Sequence, residues 1–203
     1  MRLFRFPSFA GFLYPEAIFR IKTTEKILFL TFDDGPDRET TPVLLQLLRK
    51  HGIKSIFFCS GEKAEKYPEL INHIKSDGHL IGNHGYSHLN GWDTSDPEYL
   101  SDINSAARFT SDKIFRPPFG RIRKSQYNQL KERYRIYFWD LMSFDYDETF
   151  GKENSLRILK KKIRAGSVIV FHDRSNSCAN EILEEFIIFA LKEGYSFELT
   201  PQN

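Results

Sequence analysis

The order of apolar and polar segments predicts an α/β fold built on a parallel sheet. Short apolar runs, several rich in β-branched or aromatic residues, are predicted to be seven strands, at 27–33, 55–59, 79–84, 114–117, 135–141, 167–172 and 195–199. Helical segments are predicted between them, at 39–51, 62–76, 97–112, 122–133, 153–165 and 179–193. Such alternation is typical of parallel strands joined by crossover helices. Acidic and histidine residues follow several of these strands, and in (β/α) barrels the active-site residues lie at the carboxyl ends of the strands. We therefore expect an incomplete (β/α) barrel.

Length and composition agree with one domain, residues 1–203, with no internal repeat or linker. The chain has 203 residues, of which 40% are hydrophobic and 28% charged, which is enough for a sizeable core. A formal net charge of +2 gives no reason to expect nucleic acid as a partner. The two cysteines, Cys59 and Cys178, imply no disulfide framework. The oligomeric state cannot be predicted from these features.

Residues 1–25 are predicted to be an N-terminal extension that packs on the barrel. Their apolar residues are interrupted by Arg5, Pro7 and Pro15, so the segment lacks the apolar core of 7–15 residues that a signal peptide has. It is also too short and too polar to span a bilayer. We therefore expect no stable membrane insertion and a protein that is cytoplasmic or non-classically exported, while the compartment itself stays unknown.

The most informative stretch runs from Thr31 to Pro36, where the first predicted strand ends. Asp33 and Asp34 are adjacent there, and Gly35 with Pro36 turns the backbone. Successive strand residues point to opposite sides, so both carboxylates reach one site only if the backbone departs from the strand conformation. Two close carboxylates repel each other unless a cation lies between them or one is protonated. A metal site would relieve that repulsion; the alternative is a solvated Asp-Gly turn.

A second motif places His84 and His88 four residues apart, after the third predicted strand. A helical or tightly turned backbone would put both rings on the same face. Two imidazoles and one carboxylate leave coordination positions open for water and substrate, which is the pattern of catalytic rather than structural metal sites. The alternative is a pair of surface histidines that have this spacing by chance.

Further polar residues follow three later strands. Arg116 precedes two prolines, and its permanent charge and planar fork suit a bidentate contact with a carboxylate. The fifth predicted strand delivers Asp140 and Asp145. The sixth ends in His172, whose ordinary pKa permits proton transfer near neutrality.

These motifs together resemble those of the polysaccharide deacetylases, a nodulation-deacetylase-like family of carbohydrate esterases. The stretch from Thr31 to Pro36 matches the first family motif without a substitution, and the other four motifs follow in the family's order up to residue 173. Three positions depart from the pattern: Gly85 stands where Ser or Thr is usual, Phe119 where Tyr is usual and Tyr146 where Trp is usual. The resemblance therefore covers most of the chain.

The resemblance implies a distorted seven-stranded (β/α) barrel and a set of residues for proton transfer. Asp33 would be the general base, held and oriented by Arg116. On the opposite side, His172 would be the general acid that protonates the leaving amine, and Asp145 would orient its ring.

The same resemblance implies a divalent metal ion, with zinc first and cobalt or another first-row metal as alternatives. Its ligands would be Asp34, His84 and His88. The substrate and oxyanion side would be formed by residues of the third and fourth motifs, Pro118, Phe119 and Tyr146, with a backbone amide near Phe119 as the oxyanion donor. Gly85 removes a hydroxyl that could steady the histidine loop.

We therefore expect a metal-dependent hydrolase that removes N-linked acetyl groups from N-acetylglucosamine-type residues of a polysaccharide or glycan precursor. Two alternatives stay open. An acetyl-ester or small non-peptide amide hydrolase would use the same residues, and a catalytically silent carbohydrate-binding barrel would have the same fold. The silent barrel should have lost Asp33, a histidine ligand or His172, and the sequence keeps them all. The natural glycan cannot be predicted, because loops at the rim choose the substrate.

Overall fold

The computed structural model of the chain describes residues 3–7 and 9–199. Three residues of the predicted N-terminal extension, Met1, Arg2 and Ser8, and residues 200–203 of the predicted domain lie outside the described residues. The strands are Ile27–Asp33 (β1), Ile56–Cys59 (β2), Leu80–Asn83 (β3), Ile114–Phe115 (β4), Arg135–Ile136 (β5), Leu141–Met142 (β6), Val168–His172 (β7) and Ser196–Phe197 (β8).

The helices lie between these strands, apart from one short helix that precedes them. They are Ala10–Leu13 (α1), Thr40–Lys50 (α2), Gly61–Lys66 (α3), Pro68–Ser76 (α4), Asp96–Ala106 (α5), Lys124–Leu130 (α6), Lys152–Lys162 (α7) and Ala179–Lys192 (α8). None of the helices in the described part of the chain has the length and hydropathy needed to cross a bilayer.

The strands form one parallel sheet that curls into an incomplete barrel. Their order is β5-β4-β3-β2-β1-β7-β6, and β8 pairs with the start of β1. The edge strands β5 and β6 are joined by residues 137–140 alone, so the chain itself closes the seam between them. Ile18 supports this seam, because its N–H donates to the Ile136 carbonyl and its carbonyl accepts from the Phe138 N–H, both at 2.8 Å. The predicted α/β barrel is confirmed.

Three predicted segments differ in the number or place of their elements, and others are shorter than predicted, such as 97–112, whose helix ends at Ala106. The segment 135–141 forms two short strands instead of one, because it runs across the seam from one edge of the sheet to the other. The segment 62–76 forms two helices, since Pro68 has no N–H with which to continue α3 and instead begins α4. The segment 195–199 forms only β8, which lies off the main path of seven strands.

Alternation along β1 divides its side chains between the core and the barrel interior. Leu28, Leu30 and Phe32 are buried in the largest hydrophobic cluster, which includes residues of α2 and α8. Burying such a side chain stabilises the fold by roughly 1.5–3 kcal/mol. Because successive strand residues point to opposite faces, Thr31 and Asp33 point into the barrel.

Residues near the N-terminus pack beside the seam. The carbonyl of Phe4 accepts a hydrogen bond from the N–H of Met142 in β6 at 3.0 Å. The ring of Phe6 lies 4.6 Å from that of Trp139 and 5.0 Å from that of Phe138, measured between centroids. This segment therefore covers the part of the barrel that hydrogen bonds between strands leave open.

Candidate active site

Asp33 and Asp34 both face a cavity of about 490 Å³ at the carboxyl ends of the strands. Asp33 ends β1 beside His172, the last residue of β7. Asp34 has a φ of 73°, a left-handed conformation that few non-glycine residues adopt. The sequence required such a departure from the strand conformation if both carboxylates were to share one site, and this prediction is confirmed.

Asp33 is held by Arg116, which is fully buried inside the barrel. Nη1 of Arg116 donates to Asp33 Oδ1 at 2.6 Å and to Thr31 Oγ1 at 2.8 Å, while Nη2 donates to the Phe138 carbonyl at 2.9 Å. The guanidinium carbon lies 4.1 Å from the centroid of the Phe58 ring. The predicted contact is therefore present, but the prediction that it is bidentate is wrong, because the second nitrogen binds a carbonyl of the seam.

Asp34, His84 and His88 place one potential ligand atom each within 4.8 Å of one another. Oδ1 of Asp34 lies 3.2 Å from His88 Nε2 and 3.6 Å from His84 Nε2. Nδ1 of His84 donates to the Arg116 carbonyl at 2.8 Å, which leaves the lone pair of Nε2 facing Asp34. Two imidazole nitrogens and a carboxylate are a suitable donor set for a divalent first-row ion, so these residues fit a metal.

The electrostatics of this group favour the forms that bind cations. Burial lowers the pKa of His84 to about 4, so its imidazole is neutral near pH 7. Burial alone would raise the pKa of Asp34, but a hydrogen bond with His88 and the nearby imidazoles of His172 and His84 outweigh it and hold that pKa well below its usual range. A charged carboxylate and a neutral imidazole are the states in which these groups bind metals.

His172 lies at the same cavity and is oriented by Asp145. Its Nδ1 is 2.8 Å from Asp145 Oδ1, and its backbone N–H donates to Asp145 Oδ2 at 2.8 Å. Asp145 also accepts hydrogen bonds from the hydroxyls of Ser143 at 2.5 Å and Ser177 at 2.6 Å. Burial by itself lowers the pKa of His172, but the charge of Asp145 and its hydrogen bond outweigh burial and raise that pKa. The contact leaves Nε2 as the nitrogen available to a substrate.

The three residues expected on the substrate side occupy different positions. The ring of Tyr146 lies 4.5 Å from that of His172, and the ring of Phe119 lies 4.5 Å from that of His88. Both line the cavity, and Phe119 is 58% exposed. Pro118 is buried behind Phe119 and does not line the cavity.

Backbone strain is concentrated around this cavity. Four non-glycine residues have a positive φ among the residues that the structure describes: Asp34, His88, Phe119 and Phe144. All four line the cavity. Such conformations cost on the order of 1–3 kcal/mol each and persist only where the surrounding structure holds them. Their clustering supports a functional role for the cavity.

Gly35 of the first motif is required by close packing. A Cβ atom at this position would lie 2.3 Å from Oδ2 of Asp173, a buried acid that the hydroxyls of Thr40 and Thr41 each bind at 2.6 Å. Burial raises the pKa of Asp173 to about 7. Asp173 therefore lies beneath the turn that follows the two aspartates, and it packs against the backbone of that turn.

Sequence reasoning missed Arg174, which reaches the cluster of Asp34, His84 and His88 from the other side. Its Nη1 donates to Asp34 Oδ2 at 3.0 Å, and its guanidinium carbon lies 5.1 Å from the centroid of the Tyr146 ring. Arg174 also lines a second cavity, of about 200 Å³, that adjoins the first. Its position just after His172 was the only available signal, and a basic residue that follows a strand is too common to be diagnostic.

The comparisons with known proteins identify the family. A family model described as polysaccharide deacetylase matches residues 20–134. A peptidoglycan-N-acetylglucosamine deacetylase of Bacillus cereus is 31% identical over 186 residues, which are 87% of this chain and 87% of that protein. The chain belongs to the polysaccharide deacetylase family. A second protein of that name from the same strain is 37% identical over 151 residues, or 70% of this chain, and the match spans only 54% of that longer protein.

Solved structures of this family have the same fold. The Bc1960 peptidoglycan N-acetylglucosamine deacetylase, crystallised with 4-naphthalen-1-yl-N-hydroxybenzamide, superimposes with a TM-score of 0.87 at 29% identity, covering 97% of this chain and 95% of its own. The family 4 carbohydrate esterase PdaA of Bacillus subtilis superimposes with a TM-score of 0.83 at 25% identity, covering 95% of this chain and 87% of its own. The incomplete barrel is thus the family's fold.

Proposed function

We propose that this chain is a metal-dependent hydrolase that removes N-linked acetyl groups from N-acetylglucosamine-type residues of a polysaccharide or glycan precursor. One observation carries the proposal: a held carboxylate, a carboxylate with two histidines that could hold a divalent ion, and an oriented histidine all face the same cavity. The names of relatives support the substrate class, since they include peptidoglycan-N-acetylglucosamine deacetylases and a chitooligosaccharide deacetylase of Azorhizobium caulinodans. The partner is therefore a carbohydrate rather than a nucleic acid.

Asp34, His84 and His88 would hold the divalent ion, for which zinc is the first candidate and cobalt an alternative. When bound, the ion supplies Lewis-acid chemistry, which polarises the acetamide carbonyl and lowers the pKa of the attacking water. The Nδ1 contact of His84 with a main-chain carbonyl fixes its ring in the ligating orientation before any ion arrives.

Asp33 would be the general base. Arg116 holds its Oδ1, so Oδ2, which lies 3.9 Å from His84 Nε2, is the oxygen available to take a proton from water. A carboxylate fixed on one side cannot rotate away from the reacting atoms, and the buried guanidinium supplies a permanent positive charge behind it. The role of Arg116 is therefore to position the base.

His172 would be the general acid. An amine leaves a tetrahedral carbon readily only when its nitrogen is protonated, so a donor is needed on the side of the leaving group. The Nε2 proton of His172 would go to that nitrogen as the C–N bond breaks, and Asp145 would stabilise the imidazolium beforehand. The developing oxyanion would be stabilised by a backbone N–H near Phe119, with Tyr146 beside the acid to contact the sugar or the acetyl methyl.

We further propose that residues 1–203 act as a single catalytic domain, to which the N-terminal residues contribute. Leu3 and Phe6 line the same cavity as the proposed catalytic groups, although both lie before the region that the family model matches. The extension would therefore form part of the wall of the substrate cleft.

The test is acetate release from N-acetylglucosamine oligomers by purified protein, measured before chelation, after chelation and after zinc or cobalt is restored. We expect release that disappears on chelation and returns with the metal. His88→Ala is the matched variant, since it should lose the ion on dialysis and recover part of its activity in excess zinc or cobalt. Tightly bound metal without acetate release would indicate an ester or small-amide substrate. Neither metal nor release would indicate a silent carbohydrate-binding barrel.

A further inference from the structure

The loop from His84 to His88 lacks the hydroxyl side chain that the family pattern has at position 85, so its support must come from elsewhere. Gly85 adopts a φ of 74°, and its N–H donates to Asn83 Oδ1 at 2.8 Å. The amide of Asn83 in turn donates from Nδ2 to the Ile103 carbonyl in α5 at 2.9 Å. One end of the loop is therefore tied to α5 through a buried side chain.

Asp102, also in α5, binds the centre of the loop directly. Its Oδ2 accepts the N–H of Tyr86 at 2.8 Å, and its Oδ1 accepts the N–H of Ser87 at 2.9 Å. Two successive N–H groups that converge on one anion, after a residue in the left-handed conformation, form a nest. Hydrogen bonds to a charged acceptor are shorter and stronger than neutral ones. Asp102 thus fixes the backbone of two residues that lie between the histidines.

Gly85 and Asp102 depend on each other sterically. A Cβ atom at position 85 would lie 2.8 Å from Asp102 Oδ2, which is closer than real Cβ contacts allow. That oxygen cannot move away freely, because it also accepts the Tyr86 N–H. The absence of a side chain at position 85 is therefore what lets the carboxylate approach the loop.

The opposite side of the loop is bound by α3. The carbonyl of Gly85 accepts the Gly61 N–H at 2.8 Å, and the carbonyl of Tyr86 accepts the Glu62 N–H at 3.2 Å. These two donors belong to the first turn of α3, whose N–H groups have no partner within the helix. The loop is consequently held between a helix N-terminus on one side and a carboxylate on the other.

We propose that Asp102 is a positioning residue that holds the loop in the geometry in which His84 and His88 bind a metal ion, in place of the hydroxyl that the family pattern has at position 85. The inference rests on the proposed function, because it assumes that the two histidines are ligands. It adds to the proposed metal site a residue that lies outside the five family motifs. It also explains how the loop keeps its conformation although Gly85 replaces the Ser or Thr of the family pattern.

The first test is the zinc affinity of Asp102→Ala, measured by competition with a chromogenic chelator. We expect affinity to fall by about tenfold or more, as for the loss of other groups that orient metal ligands. Asp112→Ala is the control, because it removes the same charge from an exposed side chain that pairs with Lys113 and Arg133 at 3.6 and 3.7 Å. Its affinity should match that of the wild type.

A second test needs no metal. Amide hydrogen exchange of the peptide that contains residues 84–88 should be faster in metal-free Asp102→Ala than in the metal-free wild type, while Asp112→Ala should show no change. Asp102→Asn keeps the size of the side chain and one acceptor oxygen. It should therefore fold, with exchange and zinc affinity between those of the wild type and Asp102→Ala.

The third test uses the collision between Gly85 and Asp102. Gly85→Ser should weaken zinc binding when Asp102 is present. The same substitution should have a smaller effect in the Asp102→Ala background, because the carboxylate oxygen that would clash with the new side chain is absent. Additive effects of the two substitutions would contradict the steric dependence.

Unchanged exchange in Asp102→Ala would overturn the positioning role whether or not zinc binds. If the wild type bound no zinc but exchange rose in Asp102→Ala, the metal site of the proposed function would fail while the contact between Asp102 and the loop stood. Zinc affinity of Asp102→Ala equal to that of Asp112→Ala would show that the contact does not serve the metal.

Discussion

The proposed base side of the cavity, Asp33 with Arg116, and the proposed acid side, His172 with Asp145, are both buried ion pairs, but different charges tune them. On the base side, Arg116 is a permanent cation, so its support of Asp33 stays the same across the physiological pH range. On the acid side, His172 itself titrates, and its pKa is raised by the charge and hydrogen bond of Asp145. The cation on the first side therefore keeps its charge as the pH changes, whereas the cation on the second side gains or loses its charge with pH.

The two sides also differ in how far they reach into the fold. Arg116 connects β1 to the seam through Thr31, Asp33 and the Phe138 carbonyl, so it belongs to the barrel interior as much as to the site. Asp145 bonds to His172 and to nearby serines, at the rim. Damage to the base side should thus appear in stability and activity together, and damage to the acid side mainly in the pH profile.

The largest effect is expected from Asp33→Asn. This change removes the proposed base but none of the proposed metal ligands, so turnover should fall by roughly 10²- to 10⁴-fold, the usual contribution of a general base. Zinc content should stay close to that of the wild type, whereas the melting temperature should fall, because Asn leaves the buried charge of Arg116 without its counter-charge. Acetate release and metal analysis on the same preparation would check this, and near-normal turnover would remove Asp33 from the mechanism.

Arg116→Lys should have the next largest effect. A lysine keeps the charge, but its single nitrogen cannot reach the three acceptors that Arg116 binds. A buried acceptor left without a donor costs about 1–3 kcal/mol, so the free energy of unfolding should fall by that amount. Arg49→Lys, at an arginine with a 68% exposed side chain, is the control. Thermal or denaturant unfolding would measure the stability of both variants. If Arg116→Lys were as stable as Arg49→Lys, the hydrogen bonds of the Arg116 guanidinium would not stabilise the fold.

Asp145→Asn should change the pH profile more than the fold. The charge and hydrogen bond of Asp145 raise the pKa of His172, so activity should fall as pH rises through that raised pKa if His172 is the acid. Removing the charge of Asp145 takes away the largest influence that raises this pKa and leaves the lowering effect of burial opposed only by Asp34 and Asp33. The alkaline limb of kcat/KM should therefore move to lower pH. An unchanged limb would mean that a group other than His172 controls it, whereas Arg116→Lys should leave this limb in place.

The smallest effect is expected from Phe119→Tyr, which restores the residue that is usual in the family. The side chain is 58% exposed, and the substitution leaves the backbone amide in place. Its effect on stability should stay within about 0.5 kcal/mol, as for most surface changes. Activity on N-acetylglucosamine oligomers should change little. A large gain would show that the phenol, rather than the amide, is what this loop contributes.

The sequence predicted the proposed catalytic groups because each one ends a strand or follows one closely. Parallel strands bring their carboxyl ends to one edge, so a local pattern at each end was enough to place Asp33, His84 and His172 at a common site. The parallel sheet was predictable for the same reason, since alternation of strands and helices indicates parallel strands, although the observed seven-stranded path includes two strands from the segment 135–141 and excludes the segment 195–199.

The groups that support this site could not be predicted, because they act through contacts between distant parts of the chain. Asp102 lies in a helix, where an acid is an ordinary surface residue unless the position of the loop is known. The second nitrogen of Arg116 binds a carbonyl on the seam, and only the folded barrel reveals that the segment 135–141 crosses from one edge to the other. Pro68 divides the predicted helix 62–76 into two helices, but the continuous helical pattern on both sides of it led to the prediction of a single helix.

The left-handed residues around the cavity limit how far this protein can be adapted to heat. Replacing the exposed Phe119 with glycine would relax the backbone at little cost in buried surface, whereas the same change at Phe144 would remove a buried ring from a hydrophobic cluster. At Asp34 or His88 it would remove a proposed metal ligand. Selection for thermal tolerance alone would therefore favour relaxed backbone at Asp34 and His88, at the expense of the proposed metal site. A strained residue at such a position is retained only while selection for the function of the site continues.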